Sequence, residues 1–247
     1  IKQTVTMQTT AGLFNNIVKL TPSLNYGNKI NLQQIERIYY EPSDSMIVNR
    51  LPRFGTADEL SLNAQLTTVV YSYYRFVGKN KPLVRHVLTP SFSYRYIPNL
   101  NAYKTVSNGI GPQGETLTLD YSPFEQSLYS TGNIRNQQLI TFGFNNTLEL
   151  KRKSDKDTVD GFKRIRLIDA FSVTGNFDFE KDTNRFSNIA LNLRVSPIKW
   201  LNFVSTSSFS IYGWDEETGA TTRYFALDSN GRLGRFLNTN LTTTITL

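Results

Sequence analysis

The chain has 247 residues, 27 basic against 20 acidic, for a formal net charge of +7; 39% of residues are hydrophobic, 13% aromatic and only 19% charged. No apolar run approaches the roughly 20 residues of a membrane-crossing helix. The absence of cysteine removes a disulfide framework, a thiolate metal site and a cysteine nucleophile. His86 is the single histidine, which leaves no material for a histidine metal cluster, while 16 Phe and 13 Tyr spread along the chain argue against disorder. No catalytic, cofactor or metal site is expected, and no nucleic-acid partner.

Taken in chain order, the signal is alternation. Val18, Leu20, Pro22, Leu24 and Tyr26 form one apolar stripe. Leu60, Leu62, Ala64, Leu66, Thr68 and Val70 form the next, opposed by Glu59, Ser61, Asn63, Gln65 and Thr67. Leu88, Pro90, Phe92, Tyr94 and Tyr96 follow, then Ile140, Phe142, Phe144, Leu148 and Leu150 against Thr141, Gly143, Asn145, Thr147 and Glu149. Phe171, Val173, Phe177 and Phe179 continue the series, then Ile189 to Val195, Leu201 to Ile211, and Leu237 to Leu247. Period two over such lengths predicts β-strands with one apolar and one polar face. Gly78-Lys79-Asn80-Lys81, Lys181-Asp182-Thr183-Asn184 and Pro197-Ile198-Lys199-Trp200 read as tight connections. Pro98–Glu115, Lys153–Gly161 and Asp215–Thr222 read as longer polar ones. The expectation is roughly ten strands, all with antiparallel neighbours and no domain linker, so that 1–247 forms a single β region. Leu20-Thr21-Pro22-Ser23-Leu24-Asn25-Tyr26 is echoed by Leu88-Thr89-Pro90-Ser91-Phe92-Ser93-Tyr94, which we read as repeated strand chemistry.

A soluble sandwich also alternates. Three features favour an antiparallel transmembrane β-barrel instead. Many strands exceed the roughly 9–11 residues that cross a bilayer at a tilt. The polar face is Ser, Thr, Asn and Gln rather than Lys and Glu, as a water-filled lumen accepts. Aromatics gather near strand ends (Tyr71, Tyr73, Tyr74; Tyr94, Tyr96; Trp200; Tyr212, Trp214), as interfacial girdles do. The first residues lack the apolar core of a secretory leader, and the last strand lacks a terminal aromatic. These residues are therefore expected to be a partial barrel, the middle of a larger one, in the outer membrane of a Gram-negative bacterium.

By strand parity Arg95 and Arg194 point into the lumen. They are candidates for contact with a substrate or a plug; the alternative is solvated lumen charge paired with Asp or Glu. Pro22 and Pro90 remove ladder donors inside strands, and a bulge or local kink is expected at Pro90. His86 is expected at a strand start. Asn145-Asn146-Thr147 and Asn240-Leu241-Thr242 fit the N-glycosylation pattern incidentally.

The stretch from Val84-Arg85-His86-Val87-Leu88-Thr89-Pro90 through Tyr94-Arg95-Tyr96-Ile97-Pro98 resembles the Arg-His-x-Leu-x-Pro…Tyr-x-Tyr-x-Pro stretch of the LptD family of LPS-assembly proteins, also called the organic solvent tolerance family. Phe142 to Lys151, a short Lys/Asp loop, and Phe162 to Phe171 are similar to paired strands of the same family. The resemblance runs from about Pro82 to Leu247 and is weaker before that. It implies a large outer-membrane barrel preceded by a periplasmic jellyroll. Its implied partners are lipopolysaccharide, an LptE-like lipoprotein plug, a periplasmic bridge component reached through the jellyroll, and outer-membrane lipid. The jellyroll and the closing strands are expected to lie outside these residues, and the cysteines some members use to tie the two domains together do not occur here. The basic residues Lys151, Arg152, Lys153, Lys156, Lys163, Arg164, Arg166 and Lys181 are expected to be solvated turn flanks, or contacts for surface LPS phosphates if those turns are extracellular. Other readings are a porin or another substrate-specific outer-membrane barrel, and a soluble β-sandwich adhesin or carbohydrate binder.

Overall fold

The computed structural model describes residues 1–76, 83–101, 103–111, 114–130, 136–153, 162–198 and 200–246. In chain order the strands are β1 (Lys2–Gln8), β2 (Ala11–Leu13), β3 (Val18–Asn31), β4 (Gln34–Tyr40), β5 (Ser45–Leu51), β6 (Gly55–Thr68), β7 (Val70–Arg75), β8 (Leu83–Ile97) and β9 (Lys104–Ile110). They continue as β10 (Thr116–Tyr121), β11 (Gln137–Lys153), β12 (Phe162–Asp178), β13 (Ile189–Ile198), β14 (Leu201–Ser210), β15 (Tyr212–Trp214), β16 (Thr221–Phe225) and β17 (Arg235–Ile245). A single short helix, α1 (Ala226–Asn230), interrupts them. The expected turn Gly78–Lys81 lies outside the described residues, as do Lys156, Lys199 and most of Lys153–Gly161.

The fold is all-β and antiparallel. One sheet pairs its strands in the order β1-β3-β6-β8-β11-β12-β13-β14-β17, with β2 on β3 and β7 on β8. It is open, with β1 and β17 as its edges. Its long strands match the apolar stripes of the sequence, and β8, at 15 residues, and β11 and β12, at 17 each, are longer than a bilayer crossing needs.

The estimate of roughly ten strands holds for this sheet and misses three two-stranded ribbons, β4–β5, β9–β10 and β15–β16, built within its longer connections. Pro98–Glu115 is not simply a polar loop: β9 occupies much of it. Its sequence, Lys-Thr-Val-Ser-Asn-Gly-Ile, offers few apolar residues to alternate, and Gly109 there has φ 97°. The ribbon is fixed by its partners rather than by its own pattern.

The chain forms two compact units. The first comprises 1–9, 22–63 and 95–138, and it holds most of the buried core. Ile35, Ala57, Tyr121 and Phe124 are buried there. Burying each of the large ones contributes about 1.5–3 kcal/mol. The backbone N–H of Ile35 donates to the Pro123 carbonyl at 2.8 Å, and that of Arg37 donates to the Tyr121 hydroxyl at 3.1 Å. Arg37 lies over the Tyr121 ring at 5.7 Å and pairs with Glu125 (Nε to Oε1, 2.8 Å). Lys29, only 8% exposed, is neutralised by Glu59 at 2.5 Å and also donates to the Ser130 carbonyl at 3.0 Å. Residues 121–130 thus cover the end of β3 with satisfied polar contacts, as a buried cation requires.

The second unit comprises 10–21, 64–94 and 139–247. Its long strands pack little against a core. Leu66, Phe92 and Tyr94 stay 40%, 47% and 43% exposed, and Phe92 meets Phe144 edge-on at 5.8 Å on the same face. The connection at 211–234 is organised by Trp214, with Arg235 and Arg232 over its ring at 5.1 and 5.8 Å, and by Tyr212 stacked on Phe225 at 5.5 Å. Asp215 closes the following turn through one oxygen, which accepts from the N–H of Thr218, the Thr218 hydroxyl and the N–H of Glu217.

Two outcomes are expected. A Cβ on Gly55 would lie 2.7 Å from the Phe124 ring and 2.6 Å from the Gln34 amide. Phe124 is 7% exposed and has nowhere to swing. Gly55→Ala should therefore destabilise the first unit by about 1–3 kcal/mol. Phe124→Leu should recover part of that loss in the double variant, measured by resistance of 22–63 to limited proteolysis. For Asp215, the Thr218 N–H and hydroxyl and the Glu217 N–H hold the carboxyl below its ordinary range. The turn's stabilisation is then present above the unfolded value and lost as pH falls through the depressed folded one. Amide protection at Glu217 and Thr218, taken relative to the intrinsic exchange rate at each pH, should fall only in acid, and Asp215→Asn should abolish that dependence.

Candidate functional site

Register divides the second unit into two chemically distinct faces. Asn145 stands opposite Ser172, Ser172 opposite Asn192, Asn192 opposite Thr206 and Thr206 opposite Asn240. The neighbouring row is Gly143, Thr174, Ala190, Ser208 and Asn238. On the other face Phe144, Val173 and Leu191 stand opposite one another in turn. Partners across a ladder share a face, so β11 to β17 present a strip of small uncharged polar groups, backed by an apolar surface. On that apolar face, Gly175 is set by close approach: a Cβ there would lie 2.5 Å from the Phe142 ring opposite.

Arg194 lies on the polar face, opposite Ala170 and Val204. Arg95 is on the polar parity of β8. The bridges Val70–Leu88 and Glu59–Asn99 share one register, which places Arg95 opposite Asn63. Both arginines are exposed, and neither has an ion-pair partner among the described residues. In the order of pairing, β11 and β12 separate their strands, so the two are not neighbours.

The charge that does converge lies elsewhere on this face. Glu149 of β11 stands opposite Arg166 of β12, and Lys151 opposite Arg164. Arg85 reaches Glu149 from β8 at 3.5 Å, and Arg166 reaches it at 3.8 Å. Arg85 also lies 5.1 Å over the Tyr71 ring, and its Nε is buried without an acceptor among the described residues. Tyr73, Leu83, Arg85, Glu149, Leu150, Lys151 and Arg164 line a pocket of about 220 Å³. Glu149 thus pairs with Arg85 and Arg166, and Lys151 and Arg164 line the same cavity. Arg164 and Arg166 are exposed beside the connection that follows β11, as expected of solvated flanks, and Lys151 and Arg164 also line the cavity. Side chains of Arg152, Lys153 and Lys163 lie outside what is described.

Local geometry of β12 makes this possible. Its pairing with β11 shifts twice, between Asn146 and Leu148 and between Leu148 and Glu149, and the extra residues fall on β12. The bulges bring Ile168 opposite Leu148 on the apolar face and then return Arg166 and Arg164 to the polar one. The sequence carries a sign of this, since Ile165, Ile168 and Phe171 recur every third residue instead of every second. The Glu149 parity was legible in the sequence. Arg85 was not, because nothing in the sequence says that β8 neighbours β11.

His86 is not at the strand start but within β8, opposite Ser72, with its Nε2 2.9 Å from Asn146 Oδ1. Pro22 and Pro90 occupy equivalent places. The β1–β3 and β2–β3 ladders share one register, and Thr9–Thr10, the gap between β1 and β2, falls opposite Pro22–Thr21. The Thr9 N–H still donates to the Pro22 carbonyl at 3.3 Å, but proline returns no donor. Val69, the gap between β6 and β7, falls opposite Thr89, beside Pro90, again without a register slip. The echoed Leu-Thr-Pro-Ser motif therefore coincides twice with a split in the partner strand. At Pro90 the expected bulge or kink is a gap in the neighbour instead.

The Glu149 pairs are long and partly solvated, with side chains 25–69% exposed. Glu149→Gln should change stability by less than about 1 kcal/mol, read as an unaltered unfolding midpoint of the protein in detergent.

The family model described as LptD protein matches residues 1–212. The match includes the first 81 residues, where the sequence resemblance is weaker, and ends before β17. No significant match exists among curated proteins or solved structures. Together with the all-β antiparallel fold, the match over most of its length shows that the chain belongs to the LptD family, a lipopolysaccharide-transport component of the outer membrane.

Proposed function

We propose that this chain supplies part of the wall and inner face of a translocon barrel that inserts lipopolysaccharide into the outer leaflet. The observation that carries this reading is the separation of faces. Uncharged Asn, Ser and Thr rows on one side suit hydrated sugar passing by, and the apolar side, left without a covering layer among the described residues of the second unit, suits lipid. Strands of this length in lipid must have their backbone groups paired, so in a membrane the edges β1 and β17 require strand partners. Residues 1–247 then belong to a single barrel region. Arg95 and Arg194, without ion-pair partners among the described residues, would serve on the polar face as contacts for substrate or for a lipoprotein plug held in the lumen. The periplasmic bridge would join through a jellyroll.

Connection lengths support an orientation. Connections 14–17, 76–82, 154–161 and 199–200 alternate along the chain with the longer 32–54, 98–136, 179–188 and 211–234. Outer-membrane barrels keep short turns periplasmic and long loops extracellular. The ribbons β4–β5, β9–β10 and β15–β16 would then face outward, and the Glu149 cluster would lie toward the periplasm.

Depleting the full-length protein in its own cell tests the function. Newly made lipopolysaccharide should fail to reach the surface while small-solute uptake is unchanged. Normal surface delivery with impaired solute uptake would overturn the reading in favour of a porin-type barrel. The face assignment has its own test. Leu193→Arg, on the apolar face, should destabilise the refolded protein in bilayers by about 2–4 kcal/mol, whereas Asn192→Arg, on the polar face, should cost little. Equal small effects would mean that the apolar face meets water.

A further inference from the structure

We infer that Asp169 sets the register of the half of the β11–β12 hairpin that follows Asn146, and that a second register lies two residues away, closed to the chain by this carboxylate. The inference rests on the proposal that the apolar face meets lipid.

From Leu139–Asp178 to Asn146–Phe171 the ladder keeps one register. Carried on unbroken, it would set Leu148 opposite Asp169, Glu149 opposite Ile168, Leu150 opposite Leu167 and Lys151 opposite Arg166. The observed pairing departs from it at once. Asp169 and Ala170 together stand opposite Thr147, Leu167 is passed over, and the ladder resumes with Glu149–Arg166, Leu150–Ile165 and Lys151–Arg164. Arg166 thus faces Glu149 where it would have faced Lys151. Because the displacement is even, parity is restored, and both registers give the hairpin two complete faces.

Apolar burial does not choose between them. The observed register puts Ile168 and Ile165 on the apolar face, and the unbroken one would put Leu167 and Ile165 there. Ladder bonding favours the unbroken one. The pairing of β12 with β13 stops at Ala170–Arg194, although β13 runs on to Ile198. Without the bulges it would continue through Asp169–Val195. Unpaired backbone in lipid is costly, so something offsets what the bulges forfeit.

Two differences remain. The unbroken register would turn the Asp169 carboxylate to the apolar face, in the row of Leu148 and Val195, where a charge is expensive. It would also take Arg166 from Glu149 and set it against a like charge. The observed register rewards the carboxylate with no bond, since its Oδ2 is buried without a partner among the described residues. The Thr147 hydroxyl donates instead to the Asp169 carbonyl, at 3.4 Å. The bulges are therefore explained by what the carboxylate avoids. Asp169 is a positioning residue, acting on Glu149 and Arg166 through the register.

Disulfide trapping tests this, because these residues contain no cysteine. The full-length protein is folded in bilayers, with any cysteine elsewhere replaced by serine. Leu150→Cys with Ile165→Cys reports the observed register, and Leu150→Cys with Leu167→Cys reports the second. Directly opposite residues lie within disulfide reach, whereas diagonal ones, about 7–8 Å apart, mostly do not. The first pair should dominate while Asp169 is present. Asp169→Leu should raise the yield of the second pair relative to the first by at least about tenfold. Asp169→Glu keeps the charge and should leave the first pair dominant. Unfolding cannot imitate a gain confined to one pair. Should Asp169→Leu fail to fold, Asp169→Asn is read by the same ratio, with a severalfold rise expected. An unchanged ratio in the neutral variant, or a rise in Asp169→Glu, would overturn the inference. Leu193→Arg separates the inference from its premise. If that variant is destabilised in bilayers and the ratio does not move, the register inference alone falls. If Leu193→Arg is harmless, the lipid reading falls whatever the ratio.

Discussion

Backbone pairing is the constraint on which this structure depends. Each residue of a strand brings an N–H and a C=O that cannot be left bare away from water. Strands of 14 to 17 residues meet that demand chiefly through ladders with their neighbours in the sheet. Once the ladders form, register is no longer free. A slip by one residue would carry Asn192 to the apolar face and Leu193 to the polar one. The polar rows across β11 to β17 are thus a consequence of pairing, and so is the convergence of Arg85, Glu149 and Arg166 from three adjacent strands. Chemistry on the polar face is assembled by hydrogen bonds that carry no chemical information of their own.

The first unit solves a different problem. Its ribbons leave the sheet and must bury something of their own to be ordered. Ile35, Tyr121 and Phe124 do this with little area, and ion pairs at Lys29 and Arg37 complete the packing. Such a core is sensitive to single contacts, since Gly55 has no room for one added carbon beside Phe124.

The two kinds of region differed in how readable they were. Where a strand is two-faced, as at Ile140 to Leu150, alternation announced the element, its faces and the side on which Glu149 lies. Where order comes from partners distant in sequence, nothing local announced it. β4 and β9 are pinned by Tyr121, Pro123 and Glu36, the last 3.8 Å from Lys104, and their own residues alternate weakly. The candidate site fell between these cases. Parity placed Arg95 and Arg194 on the polar face, where neither has an ion partner among the described residues. The cluster that does form needed the strand order and the bulges of β12, and neither is written in any single stretch of sequence.

The paired gaps opposite Pro22 and Pro90 carry a mechanical consequence. A ladder that loses a bond but keeps its register is softened without being re-addressed, much as a perforated line weakens paper without moving the print. Bending there displaces no side chain from its face, because the bridges before and after each gap remain in step. The sheet can thus flex along β3 and β8 while the polar rows further along it stay aligned. The compliance is built in by a proline and an interrupted neighbour, with no loop to order and no core to repack.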